Sequence, residues 1–349
     1  MRIGVFDFFS GCGGTSRGFQ NSGLDPIFAL DFDSDAASTF QKNFQNTVFS
    51  NNDITKFNPF EIEHLVSRQQ LTLFSGCAPC QPFTRQNTIK PDAKTDTRRS
   101  LLTHFGKLVE RFLPDYVFVE NVPGIQRVTG NSTLTRFNKQ LATLGYSSTV
   151  GIVESQRYGI PQRRRRLVLL ASKHGSIDLP PTTHDPAFGK PFSTVRDWIS
   201  HLPPIEAGEI HSEVPNHRSA KLSELNLRRI RATPPEGSRA DWPADLRLDC
   251  HTKNGYSGHT DVYGRMKWNG PATGLTTRCI SLSNGRYGHP EQHRAISVRE
   301  AAALQTFPDN FKFLGSLNSQ AKQIGNAVPV LLAEVFGFHI LNHAKQKAG

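Results

Sequence analysis

The chain is 349 residues long, 37% hydrophobic with 24 Phe, and carries a formal net charge of +11 with a pI near 9.6. That length predicts one large domain with a smaller one, and the mean hydropathy of −0.43 without a long apolar run argues against a membrane span. Five scattered cysteines, Cys12, Cys77, Cys80, Cys250 and Cys279, are unlike a secreted disulfide framework and fit a reducing compartment. The excess of positive charge favours a polyanionic partner such as nucleic acid, because each phosphate neutralised releases counterions.

The N-terminus, Met1 to Asp7, starts like a strand and meets an acid too early for the apolar region of a signal peptide, which places the protein in the cytoplasm. Strands are expected at Arg2–Phe9, Pro26–Asp31, Thr47–Asn51, Leu71–Ser75, Tyr116–Glu120, Ser148–Val153 and Arg166–Ala171. Helical patterns lie between them at Thr15–Asn21, Ser34–Phe44, Leu101–Phe112 and Ser132–Leu144. Val117-Phe118-Val119 and Leu167-Val168-Leu169-Leu170 are continuous apolar runs, the pattern of strands covered on both faces. The expected fold class is therefore α/β, a doubly wound and mostly parallel sheet.

Phe8-Phe9-Ser10-Gly11-Cys12-Gly13-Gly14 follows the first strand and precedes a helix, where glycines let backbone approach a ligand at a helix N-terminus. Ser16 stands where a dinucleotide fingerprint needs glycine, so this is not a regular pyrophosphate loop. Asp31 closes the second strand about 20 residues further on, where a carboxylate can take the hydroxyls of a ribose. Asp53-Ile54 closes the third and can pair a polar contact with an apolar wall for a purine. Each of these alone also suits an ordinary turn or helix cap; together they describe a site for a nucleoside-like cofactor.

The fourth strand breaks at Gly76-Cys77-Ala78-Pro79-Cys80-Gln81-Pro82 into a rigid turn that presents a thiol at a strand's carboxyl end, where ligands sit in open α/β sheets. Cys77-x-x-Cys80 reads as a nucleophile site, a redox pair or half a zinc site. Cys250 and Cys279 stand alone rather than as the second pair that zinc wants, and no metal is expected. Glu120-Asn121-Val122-Pro123-Gly124 ends the fifth strand; if strands four and five are neighbours, Glu120 and Cys80 emerge side by side, as covalent attack assisted by a proton donor requires. In Gln162-Arg163-Arg164-Arg165-Arg166, strand alternation would set Arg164 and Arg166 on one face, able to hold a phosphate or an electron-rich base.

After about Lys173 the pattern dissolves into Pro-, His-, Ser- and Gly-rich sequence, which predicts an irregular second domain. Helix returns at Val298–Leu304, ended by Phe307-Pro308, and a last amphipathic helix is expected from Pro329 to His343. The expected division is 1–175 plus 320–349 for the first domain and 176–319 for the second.

In order and spacing these motifs resemble the cytosine carbon-5 DNA methyltransferases of bacteria, over most of the chain outside the middle. Asp7–Gly14 resembles the family's S-adenosylmethionine loop, Asp31-Phe32 its ribose-binding acid and aromatic neighbour, and Asp53-Ile54 its adenine contacts. Pro79-Cys80-Gln81 is similar to the nucleophile turn, Glu120-Asn121-Val122 to the acid strand and Gln162-x-Arg164-x-Arg166 to the paired-arginine motif. Arg299–Pro308 and Gln323-Ile324-Gly325-Asn326-Ala327-Val328-Pro329 match the late motifs. Ala78 and Ala303 depart from the family's usual proline and arginine.

The resemblance implies a Rossmann-like methyltransferase fold with a target-recognition domain. Phe9, Ser10, Gly11, Cys12, Gly13, Gly14, Asp31, Phe32, Asp53, Ile54, Leu101, Asn326 and Val328 would hold S-adenosylmethionine. Cys80, Glu120, Arg164 and Arg166 would carry the chemistry on a cytosine flipped from double-stranded DNA, and Gln81, Arg98, Arg265, Arg278 and Arg286 would touch that DNA. A monomer acting in a restriction-modification system, with a cognate endonuclease that forms no stable complex, is the expected setting. A tRNA cytosine-5 methyltransferase and a non-methylating protein with a redox Cys77-Cys80 pair remain the alternatives.

Overall fold

The computed structural model describes residues 1–78, 101–123, 133–249 and 261–348. Its strands are β1 (Ile3–Phe8), β2 (Asp25–Leu30), β3 (Val48–Ser50), β4 (Leu71–Gly76), β5 (Tyr116–Asn121), β6 (Ser147–Glu154), β7 (Gln162–Arg163), β8 (Arg165–Ser172) and β9 (Ala272–Thr273). Helices described are α1 (Gly14–Asn21), α2 (Ser34–Asn43), α3 (Phe60–Val66), α4 (Leu101–Phe112), α5 (Thr133–Thr143), α6 (Val195–Ile199), α7 (Glu224–Ala232), α8 (Val298–Leu304), α9 (Leu317–Asn326) and α10 (Val330–Ala348). The chain divides into two compact units, one of Met1–Tyr158, Arg165–Thr183 and Val328–Gly349, the other of Gly159–Arg164 and His184–Ala327.

The first unit is built on a seven-stranded sheet in the order β3-β2-β1-β4-β5-β8-β6. β3, β2, β1, β4 and β5 run parallel, while β8 is antiparallel to both β5 and β6. All six residues of β1 and of β5 are buried, as the continuous apolar runs require of central strands. Alternation along β1 sends Phe6 and Phe8 to one face, where the Phe8 ring meets Phe28 at 5.8 Å, Phe74 at 5.2 Å and Phe105 of α4 at 5.7 Å. On the opposite face Phe118 of β5 is covered by Phe19 of α1 at 5.5 Å and Phe336 of α10 at 5.3 Å.

Element positions follow the sequence pattern within one or two residues, with two exceptions in this unit. α3 has a single buried residue, Ile62, too little for an apolar period to show. α10 runs on to Ala348, beyond the expected His343. It lies in Leu317–Lys347, which among the described residues is the one stretch long and apolar enough by composition to cross a membrane, with a hydropathy of 1.6; Leu332, Ala333, Phe336 and Ile340 on it are buried in the core.

The second unit is mostly loop, as the Pro- and Gly-rich sequence predicts, with α6 to α9 and the two-residue parallel pair β7 and β9. One apolar cluster gathers Ile230, Trp242, Leu246, Val262, Tyr263 and Leu282. Elsewhere Arg294 is fully buried and reaches both oxygens of Glu300 at 2.7 Å. Burial pushes the Glu300 carboxyl up, but Arg294 and His289 outweigh it and hold the group below the ordinary carboxylate range.

Asp7 of β1 is buried against α1, where Ser16 Oγ donates to its Oδ2 at 2.7 Å. Burial raises its carboxyl from 3.8 to about 7, against the hydrogen bonds of Ser16 and Ser75. Between about pH 4 and pH 7 the unfolded chain has released this proton while the folded chain holds it, so the contribution of Asp7 to stability falls as pH rises through that window. Asp7→Asn cannot ionise yet keeps an acceptor for Ser16. It is expected to raise the melting temperature relative to wild type more at pH 8 than at pH 5; thermal unfolding at both values checks this, and equal shifts contradict it.

Candidate functional site

Because β1, β2 and β3 are parallel, the loops that follow them share one rim of the sheet. Phe9 and Ser10 both donate backbone N–H groups to the Leu30 carbonyl, at 2.9 and 3.0 Å, which bolts the β1–α1 turn to the end of β2. The turn needs left-handed backbone at Phe9 (φ 68°) and Gly11 (φ 53°). Gly11 N–H donates to Asp31 Oδ2 at 2.8 Å and Asp33 N–H to Asp31 Oδ1 at 2.9 Å, so two amides fix the carboxylate between two loops. Burial pushes the Asp31 carboxyl up and those amides oppose it. Each oxygen keeps a second lone pair for a hydroxyl donor.

Beside Asp31, a Cβ added to Gly11 would meet no atom within 4 Å, so the loop backbone faces open space. Phe32 is 68% exposed, Asp53 is exposed at the end of the β3 loop, and Ile54 is buried next to it. Ser10, Cys12, Gly13 and Gly14 are buried. Burial raises the Cys12 thiol to about 12, which leaves it a small apolar filler. Leu101 opens α4 half-buried, Asn326 is the exposed last residue of α9 in the second unit, and Val328 is buried in the first. A paired acid, an exposed ring, an apolar wall and open glycine backbone fit a nucleoside.

At the next strand ends, β4 and β5 are parallel neighbours. Since β8 runs antiparallel to β5, its first residues lie at the rim where β5 finishes; Glu120 pairs with Val168, and Arg166 is the diagonal neighbour on the same face. Arg166 Nε stands 2.8 Å from Glu120 Oε1, with only 17% and 9% of the two side chains exposed. The adjoining Asn121 is buried and donates from Nδ2 to the Ala78 carbonyl at 3.1 Å, while its Oδ1 accepts from Val122 N–H at 2.7 Å. The end of β5 thus carries the carboxylate and also holds the start of the cysteine turn. Cys80, Gln81 and Arg98 lie outside the described residues.

Cys77 Sγ is 3.9 Å from Ser75 Oγ. Burial, reinforced by the charges of Glu120 and Asp7, pushes its thiol up beyond the range where a thiolate forms. Cys77 is chemically quiet in this setting.

Several expected site residues are placed differently. Arg164 and Arg166 do not share a face, because the strand is broken between β7 and β8 and Arg164 lies in the break. Arg164 is buried and donates to the carbonyls of Leu275 at 3.1 Å, Gly325 at 3.2 Å and Ala327 at 3.1 Å, so it staples the Leu275 loop to the C-terminal end of α9 within the second unit instead of holding a base. Arg265, expected at DNA, is 2% exposed and spends its donors on the carbonyls of Thr233, His289, Gln292 and Ile230 and on His293 Nδ1. Arg286 pairs with Asp261 at 3.1 Å and donates to the carbonyls of Glu236, Gly237 and Arg265. Arg278 alone of the three is exposed. The tether by Asn121 had no sequence signal beyond its place after Glu120.

The family model for C-5 cytosine-specific DNA methylase matches residues 3–342. The chain is 39% identical over 335 residues to the Type II methylase M.HgiDII of Herpetosiphon aurantiacus, covering 95% of this chain and 93% of that protein. It is 30% identical over 342 residues to the Type II methyltransferase M1.HphI of Haemophilus parahaemolyticus, covering 98% and 87%. Among solved structures, a prophage-encoded DNA modification methyltransferase from E. coli superposes with a TM-score of 0.75 at 22% identity, covering 98% of this chain and 99% of that one. The Dnmt2 methyltransferase of S. pombe gives 0.64 at 18%, with both chains covered completely. The seven-stranded mixed sheet is thus a methyltransferase fold.

Asn121→Ala removes the donor to Ala78 and leaves that carbonyl unpaired. Misplacing the turn is expected to lower turnover by about 10- to 100-fold, while the Asp31 rim, formed by other loops, keeps its affinity for a nucleoside cofactor. Paired kcat and cofactor-binding measurements check this; equal losses in both would contradict a positioning role.

Proposed function

The chain belongs to the C-5 cytosine-specific DNA methylase family and is a DNA cytosine-5 methyltransferase, and we propose that it works through a covalent Cys80 adduct with a cytosine flipped out of duplex DNA. The observation that carries this reading is the Glu120–Arg166 pair at the end of β5, beside the asparagine that holds the turn leading to Cys80.

Cytosine carbon 5 is too weak a nucleophile to take a methyl group unaided. The Cys80 thiolate adds to carbon 6 while Glu120 engages the ring at N3, which makes carbon 5 enamine-like. Arg166 keeps the Glu120 carboxylate aimed from β8. S-adenosylmethionine, when bound, supplies the electrophilic methyl group. Loss of the carbon 5 proton and expulsion of Cys80 then restore the ring. Because the target atom is hidden in stacked DNA, flipping costs a few kcal/mol that protein contacts must offset.

The donor's adenosyl part would lie on the rim already described: Asp31 for the ribose hydroxyls, Phe9 and Phe32 for the adenine faces, Asp53 and Ile54 for its edge, with the backbone from Ser10 to Gly14 alongside. The open space at Gly11 and the amide-fixed Asp31 support that placement. Leu101 and Val328 would add contacts. The relatives are named Type II methylase and Type II methyltransferase; in keeping with those names, the proposed setting is a modification enzyme that protects DNA from a cognate endonuclease, acting as a monomer in the cytoplasm.

With labelled S-adenosylmethionine, transfer is expected to duplex DNA and not to tRNA. Cys80→Ser should abolish it and Cys77→Ser should retain most of it. Transfer confined to tRNA, or activity that survives loss of Cys80 and not of Cys77, would overturn the reading.

A further inference from the structure

Between Asp261 and Pro290 the described chain holds four cationic side chains, Arg265, Lys267, Arg278 and Arg286, and one acid, Asp261. Arg265 is consumed by backbone carbonyls, Arg286 pairs with Asp261 at 3.1 Å, and Lys267 pairs with Glu236 at 3.0 Å. Arg278 is exposed and, among the described residues, its guanidinium has no protein partner.

The loop that carries it is nevertheless tightly held. Leu275 N–H donates to Gln162 Oε1 at 2.8 Å and its carbonyl accepts from Arg164 Nη1 at 3.1 Å. Tyr287 OH donates to the Gly274 carbonyl at 3.0 Å. A Cβ on Gly325 would come within 2.2 Å of the Thr276 carbonyl, so α9 lies directly against the loop at a point where only glycine leaves room. On the far side Cys279 and Ile280 are 0% and 3% exposed. Thr277 and Arg278 form a two-residue exposed step between buried anchors.

Resting on the functional reading above, we infer that Arg278 determines sequence specificity by reading a guanine edge in the target site. A phosphate needs only a positive charge, which a mobile side chain on a loose loop supplies. Bidentate recognition of guanine O6 and N7 needs the planar fork placed within a fraction of an ångström, and a backbone fixed before binding supplies that at low entropic cost. The fold spends Arg164 and Gln162 on fixing this backbone and leaves one guanidinium free at its crest.

The test is methylation of a randomised duplex library by wild type, Arg278→Ala and Arg278→Lys, read by bisulfite sequencing. The measured quantity is the ratio of methylation between sequences, which does not depend on total rate. Wild type should methylate one motif, and both variants should lose discrimination at a single guanine of it by about 10- to 100-fold. Lysine keeps the charge but lacks the fork, so it should not rescue. An unchanged sequence profile in the alanine variant overturns the assignment. So does a uniform loss over all sequences that lysine restores, with the slope of log affinity against log salt falling by about one, the behaviour of a phosphate contact. A wild type that methylates no duplex at all instead sinks the functional reading, and this assignment with it.

Discussion

The ion pair between Glu120 and Arg166 is the constraint on which the site depends. It exists because one strand of the sheet is reversed: β8 enters antiparallel beside β5, so the first residues of β8 arrive at the rim where β5 ends. Both side chains are largely withdrawn from water, and losing either would leave the other buried and uncompensated at about 3–5 kcal/mol. A carboxylate kept there without its arginine would lose the partner that aims it. The same strand end carries Asn121, so the acid and the tether to Ala78 are adjacent residues of one strand.

Many of the arginines build the protein rather than sit free at its surface. Arg164, Arg265, Arg294 and Arg299 are nearly or fully buried, and each ties together loops with no regular ladder of their own. In a loop-built unit the carbonyls cannot be satisfied by strands or helices, and a guanidinium with five donors satisfies several at once. The desolvation this demands is visible in Arg265 and Arg299, both lowered by burial to about 10. Net charge is consequently a poor guide to where nucleic acid docks. Between Asp261 and Pro290, Arg265 is internal and Arg286 and Lys267 are paired with acids, while Arg278 is exposed with no ion pair among the described residues.

Legibility in the sequence followed the same division. The sheet and most of its helices were readable because β1, β5 and β8 are apolar on both faces and each ends in a turn residue or an acid. The nucleoside rim was readable because its parts are local: a glycine loop, Asp31 and Asp53, each closing a strand. Arg164 was misplaced because alternation assumes an unbroken strand, and the turn hydrogen bonds from Gln162 to Ile160 and from Arg164 to Gln162 break it. Arg265 and Asn121 act on partners 24 to 43 positions away, at His289, Ile230 and Ala78, separations no local pattern reveals. α3 went unseen because a helix burying one side chain has no period to read.

In the proposed mechanism Glu120 and Arg166 act as one unit on the base. A double-mutant cycle on single-turnover methyl transfer, using Glu120→Gln, Arg166→Met and the pair, measures this most directly. Each single change should remove most of the rate, and the double should be little worse than either, a coupling of about 1–3 kcal/mol. Losses that simply add would contradict the account.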